Sequence, residues 1–185
     1  MLIRLALALW LTAIAPLSAQ IAEPDRALAL EDAFARLQSA ATAEDAQQAE
    51  AEVWTLWNIG PDAEATTMLG QATAMLRRGS LNDAHAMLDT LLEAEPEFME
   101  AWNQRAFAKF LKGEVHASLL DIEQVLKREP RHFGALAGRA RIEVRLGRLT
   151  EATKTMGVVA KVHPWMARRS MIPADPPPPD PAEEL

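Results

Sequence analysis

Glycine and proline return in this chain at one fixed interval. Gly79, Gly113 and Gly147 stand 34 residues apart, and Pro96, Pro130 and Pro164 keep the same step. Two columns of small residues share it: Ala72, Ala106 and Ala140, then Ala84, Ser118 and Ala152. A constant period over several columns is the sequence mark of a solenoid, in which each unit buries its apolar face only against its neighbours. The middle unit reads as two helices folded back on each other. The first runs from Met99 to Lys112 and stops at Gly113, and the second runs from Val115 to Arg128 and stops before Pro130. Trp102, Ala106 and Phe110 recur at helical spacing on the first helix. The small columns let paired helix axes approach to the short end of the roughly 8–10 Å packing range. The glycines allow the positive φ of a tight turn, and each proline ends a second helix.

These columns resemble the tetratricopeptide repeat, whose pattern sets an aromatic, small residues, a large apolar residue and a closing proline on a 34-residue frame. The middle copy carries Trp102, Ala106, Ser118, Ile122 and Pro130; the first carries Met68, Ala72, Ala84, Leu88 and Pro96; the last carries Leu136, Ala140, Ala152, Met156 and Pro164. Two columns depart from the pattern. Gln71, Arg105 and Arg139 stand where the family has leucine, and Met75, Lys109 and Glu143 stand where it has tyrosine. The resemblance covers Ala65 to Trp165. It implies an all-α, right-handed superhelix of helix-turn-helix repeats at 65–98, 99–132 and 133–166.

Residues 1–19 read as a secretory leader. Arg4 supplies the positive start, Leu5–Ala15 is an apolar run shorter than the ~20 residues that span a bilayer, and cleavage is expected after Ala19. The alternative is an uncleaved N-terminal anchor in the inner membrane. The expected location is periplasmic or otherwise exported, with no stable membrane insertion once the leader is removed. Residues 20–64 read as a degenerate helical hairpin in register with the repeats, since Phe34 and Trp54 lie 34 residues before Met68 and Leu88. Its Glu50 falls in a small-residue column, as in a divergent end repeat. Thr42 with Asp45, and Ser80 with Asp83, are spaced as capping boxes. Trp54 and Trp57 are expected to be buried against the first full repeat. Residues 167–185 read as an extended tail around Pro176–Pro179, with a short helix conceivable just after Pro164.

Charge is distributed unevenly. Ala22 to Glu100 holds 4 basic and 16 acidic residues, whereas Arg131 to Arg169 holds 9 basic and 2 acidic. Such an asymmetry favours an oriented protein partner, and the acidic half with the export signal disfavours nucleic acid. There is no cysteine, so disulfides and thiolate chemistry are absent. His85, His116, His132 and His163 are scattered, and no HExxH, phosphate loop or G-x-S-x-G elbow occurs. No catalytic residue, metal ligand or cofactor site is expected.

By resemblance, the first helix of each repeat lines a concave groove that holds a peptide or protein segment. The residues expected there are Arg77, Asn103, Phe107, Phe110, Leu111, Arg141 and Arg145, with the arginines meeting an acidic group and Phe107 and Leu111 supplying apolar contact. The family's carboxylate clamp is missing, because its positions hold Leu69, Thr73, Gly134 and Gly138. The function expected is a non-catalytic envelope interaction module. The alternative is an assembly subunit that works through its ends or convex face.

Overall fold

A computed structural model describes residues 23–169; the expected leader at 1–19 and the residues from 170 onward lie outside the described part. Within it the chain forms α1 (Glu23–Ser39), α2 (Ala43–Trp57), α3 (Ala63–Arg77), α4 (Leu81–Ala94), α5 (Met99–Leu111), α6 (Val115–Arg128), α7 (Phe133–Arg145), α8 (Leu149–Val162) and a short α9 (Pro164–Arg169). The fold is an α-solenoid of helical hairpins: α3 pairs with α4, α5 with α6 and α7 with α8, and each hairpin packs on the next. The first helices α3, α5 and α7 touch one another along the stack, while the second helices meet at most sparsely. The first helices are therefore the inner layer.

Each hairpin turn is the same device. Gly79, Gly113 and Gly147 have φ of +81°, +82° and +74°. At the middle turn Gly113 N–H donates to the Phe110 carbonyl at 3.0 Å and Glu114 N–H to the Lys109 carbonyl at 2.9 Å. This is a Schellman closure, which satisfies carbonyls that the helix end leaves open, and it recurs from Ser80 to Met75 and from Arg148 to Glu143. The small columns are all buried. Ser118 lies close enough to α5 for its hydroxyl to donate to the Ala106 carbonyl at 2.7 Å.

In the second and third repeats, departing residues become polar joints between helices. Arg105 grips Asp121 of α6 with two hydrogen bonds of 2.9 Å and reaches Asp89 of α4 at 2.7 Å. Lys109 meets the same Asp121 at 2.7 Å. One repeat later the equivalent pair is Glu143 and Thr155, joined at 2.7 Å, and in the first repeat it is Met75 and Met87. Burial opposes the charge on Arg105, but the Asp121 and Asp89 carboxylates more than offset it and hold the guanidinium above its ordinary pKa.

Helix starts follow the sequence only in part. Thr42 and Asp45 form the expected capping box. Ser80 does not cap α4, because its backbone sits at φ −77°, ψ 63° and its side chain makes no capping bond. The Schellman turn uses Ser80 N–H and fixes that backbone instead. Residues 167–169, read as tail, belong to α9, which His163 caps by accepting the Met166 N–H at its Nδ1, 3.2 Å away.

The largest difference lies in the N-terminal hairpin. The α1–α2 pair forms, but it does not stack on α3–α4 as an in-register repeat. It folds across the far end of the array, where Phe34, Leu37, Val53 and Trp57 share one core with Phe133 of α7 and Val162 of α8. Trp165 of α9 donates its indole N–H to the Ala40 carbonyl at 3.1 Å. Glu50, too large for the close approach of a standard repeat, lies 3.2 Å from His163 Nε2 instead. Trp57 is buried as expected, but against the last repeat.

Two glycines should respond to alanine with opposite signs. Gly113→Ala forces alanine into a left-handed backbone and should destabilise by about 1–2 kcal/mol. Gly70 lies inside α3, and a methyl group added there would meet nothing within 4 Å. Gly70→Ala should therefore stabilise by about 0.5–1 kcal/mol. Urea titration of both variants measures the difference.

Candidate functional site

A cavity of about 230 Å³ opens on the inner layer between α5 and α7, with Ser118 and Ile122 of α6 behind it. It exists because α7 presents Gly134 and Gly138 where longer side chains would fill the gap. Phe107 and Phe110 of α5 wall one side, and Arg141 of α7 stands on the other. The end wall is Trp54, contributed by the N-terminal hairpin. Its ring fits so closely over Gly134 that a Cβ added there would lie 2.5 Å from Trp54 Cη2.

Four of the seven residues expected in a groove thus line one cavity: Asn103, Phe107, Phe110 and Arg141. Arg145 reaches the rim, its guanidinium 5.7 Å from the Phe110 ring centre. Leu111 is exposed on the same helix but does not line the cavity. Arg77 is exposed at the end of α3, also outside the lining. Asn103 is partly committed, since its amide donates to Glu100 at 2.9 Å. Helical phase does not identify Trp54 as a wall, and the family pattern marks Gly134 and Gly138 only as missing clamp positions. In the sequence only Gly134 departs from its column, which holds Thr66 and Glu100, whereas Gly138 repeats Gly70.

Beneath the site lies a fully buried pair. Glu100 accepts from Asn103 and Gln104 on one oxygen, at 2.9 and 2.7 Å, and from His132 Nε2 on the other at 3.0 Å. His132 Nδ1 accepts the Ala135 N–H at 3.0 Å. The ring therefore carries its proton on Nε2 and donates it to the carboxylate. Three donors and a place in the first turn of α5 offset the burial of this charge. Trp57 lies flat on His132, with ring centres 4.0 Å apart and planes 8° from parallel. His132 and His163 are thus occupied as helix caps in the packed end of the array. Among the described residues no group of three or more His, Asp or Glu is placed to hold a metal ion.

An ion cluster fastens the hairpin from outside. Arg131 donates to both Glu31 oxygens at 2.9 and 2.7 Å, and also to Glu129. The bonds to Glu129 and Glu31 raise the Arg131 pKa, and Arg131 holds the Glu31 carboxyl below the usual carboxylate range. Arg131 also sits over the Phe34 ring, 4.2 Å from its centre.

No family model matches the chain. It is 33% identical over 113 residues to a TPR repeat-containing protein of Rhizobium etli, an alignment covering 61% of this chain and 55% of that protein. The chain therefore spans little more than half the length of the curated relative it matches. The relative's name agrees with the helical hairpins and with the 34-residue period. The hairpins are similar to tetratricopeptide repeats, and that similarity supports a protein-interaction module in general.

Filling Gly134 tests how the hairpin is seated. Gly134→Ala should destabilise by about 1–3 kcal/mol, the usual cost of forcing atoms into an occupied site. Adding Trp54→Leu should recover most of that loss, as measured by urea titration of the single and double variants. The clasp should also respond to acid. Because the folded-state pKa of Glu31 is depressed, its contribution is present above the unfolded carboxylate value and is lost as pH falls through the lower folded value. Hydrogen exchange in α1 should therefore quicken below the usual carboxylate range, and Glu31→Gln should remove most of that dependence.

Proposed function

We propose that this protein is a non-catalytic, exported interaction module that holds a segment of a partner protein against the inner face of α5 and α7, taking an acidic group at Arg141 and Arg145. The observation that carries this reading is a pair of cationic side chains without an acidic partner among the described residues, beside an apolar cavity. Most of the other arginines on the inner and interhelical faces are spent: Arg105, Arg128, Arg131 and Arg139 all bond carboxylates of this chain. Arg141 and Arg145 have no such bond and stand where a bound segment would meet them. Phe107, which lines the cavity, is 45% exposed and offers apolar surface there. An arginine with an aromatic neighbour suits recognition of a carboxylate next to apolar contact.

The exported location rests on the leader at 1–19. None of the described helices is long and apolar enough to cross a membrane. A second reading, assembly through the convex face, draws on Leu120 of α6 and Val158 of α8, which are 62% and 42% exposed.

Charge reversal separates the two readings. The double variant Arg141→Glu, Arg145→Glu should weaken capture of an acidic segment by at least about tenfold, measured by fluorescence anisotropy with labelled acidic peptides. A subunit that only assembles through Leu120 and Val158 should keep its oligomeric state in that variant and lose it on Leu120→Glu.

A further inference from the structure

The lining of the cavity limits what can enter it. Apart from Arg141, the polar side chains that line it already have partners within the chain. Ser118 gives its hydroxyl proton to the Ala106 carbonyl, and Asn103 and Gln104 give amide protons to Glu100. What remains toward the interior is Gly134, Gly138, Ala106 and Ile122, with the faces of Phe107 and Phe110. A polar group placed there would exchange water for surroundings that offer it little in return, so the occupant is apolar. Its size is bounded as well. About 230 Å³ lies below the roughly 300–1,000 Å³ of small-molecule sites, yet exceeds the roughly 150 Å³ that holds a benzene-sized group. That is room for one side chain rather than a whole ligand. Trp54 sets the far limit and is firmly held. Its ring makes edge contacts with Trp57 at 5.4 Å and Phe133 at 5.2 Å between centres, and its seat over Gly134 leaves it no slack.

We infer that the cavity is a socket for a single apolar side chain of an acidic segment, leucine, methionine or at most one with a single ring, and that Trp54 of the N-terminal hairpin is the residue that fixes its size limit. Arg141 stands at the socket and Arg145 one turn further along α7, so the acidic residues follow or precede the anchor directly. The inference rests on the reading of this face as a peptide site and adds the class of anchor and the residue that selects it.

The test uses the full chain and fluorescein-labelled, amidated peptides of the form Gly-Ser-X-Asp-Glu-Ser-Gly, with X as Ala, Leu, Met or Trp. Anisotropy should show Leu and Met binding on the order of tenfold tighter than Ala, with Trp no better than Ala. Trp54→Leu should reverse the order, so that the Trp peptide gains about tenfold. Gly138→Leu should fill the socket and remove the preference for Leu over Ala. Its control is Gly70→Leu, the same change at the equivalent helical position of α3, away from the cavity. Gly138→Leu leaves the hairpin's own residues unchanged, and no hairpin atom lies within 4 Å of a Cβ added there, so the proposal stays exposed to refutation even if Trp54→Leu fails to fold. Binding that ignores the identity of X, or a Leu preference that survives Gly138→Leu, overturns the socket while leaving the peptide site intact. A Trp54→Leu protein that folds and keeps the wild-type order overturns the role of Trp54. No binding of any of these peptides to the wild-type chain overturns both the socket and the peptide-site reading.

Discussion

Trp57 lying against His132 is the contact on which the shape of this molecule turns. It brings α2 onto the start of α7, past two complete repeats. Around it Phe34, Trp54 and Phe133 meet edge to face, an arrangement that adds to simple burial. His132 can take this place because both ring nitrogens are occupied, one by a backbone N–H and one by Glu100. Without that satisfaction a buried imidazole would be a liability in such a core. The hairpin, the inner cavity and α9 are all positioned from this seam.

The period of the array was legible because its causes are local. A positive-φ glycine, a proline and two small columns each act within one repeat, and repetition makes them visible. The seat of the hairpin was not legible for the opposite reason. Phe34 and Trp54 keep the 34-residue register, so spacing alone places them in a zeroth repeat, yet their partners are Phe133, Val162 and Trp165. Nothing in the local sequence distinguishes a tryptophan that packs on the next repeat from one that packs on the last. The groove was half legible for a related reason. The resemblance to the repeat family implied Asn103, Phe107, Phe110 and Arg141 for the groove, but the cavity between them depends on side chains that are absent, at Gly134 and Gly138. Ser80 shows a third kind of failure, since its capping spacing is present but the glycine turn before it had already fixed the backbone.

Three of the departures from the repeat pattern, Arg105, Lys109 and Glu143, share one physical form. Arg105 and Lys109 both bond Asp121, and Glu143 bonds Thr155, so polar joints take the place of apolar contacts at the same helix crossing. Pairs buried to this degree contribute less to net stability than their distances suggest, because desolvation offsets most of the attraction. They do restrict which helix faces can meet. A lysine on α5 requires an acid on α6 at that crossing, and the two methionines of the first repeat cannot substitute for it. The repeats are thus not interchangeable, although they share one backbone geometry.

An open solenoid is a one-dimensional object whose ends do not sense each other and whose length can grow by whole units. Here the bonds from Arg131, between α6 and α7, to Glu31 and from Trp165 to Ala40 tie the N-terminal hairpin to the last part of the array. The stack is closed like a strap through its buckle. A further unit inserted between the hairpin and that last part would carry Phe133 and α9 away from α1 and α2, so this clasp fits an array of this length.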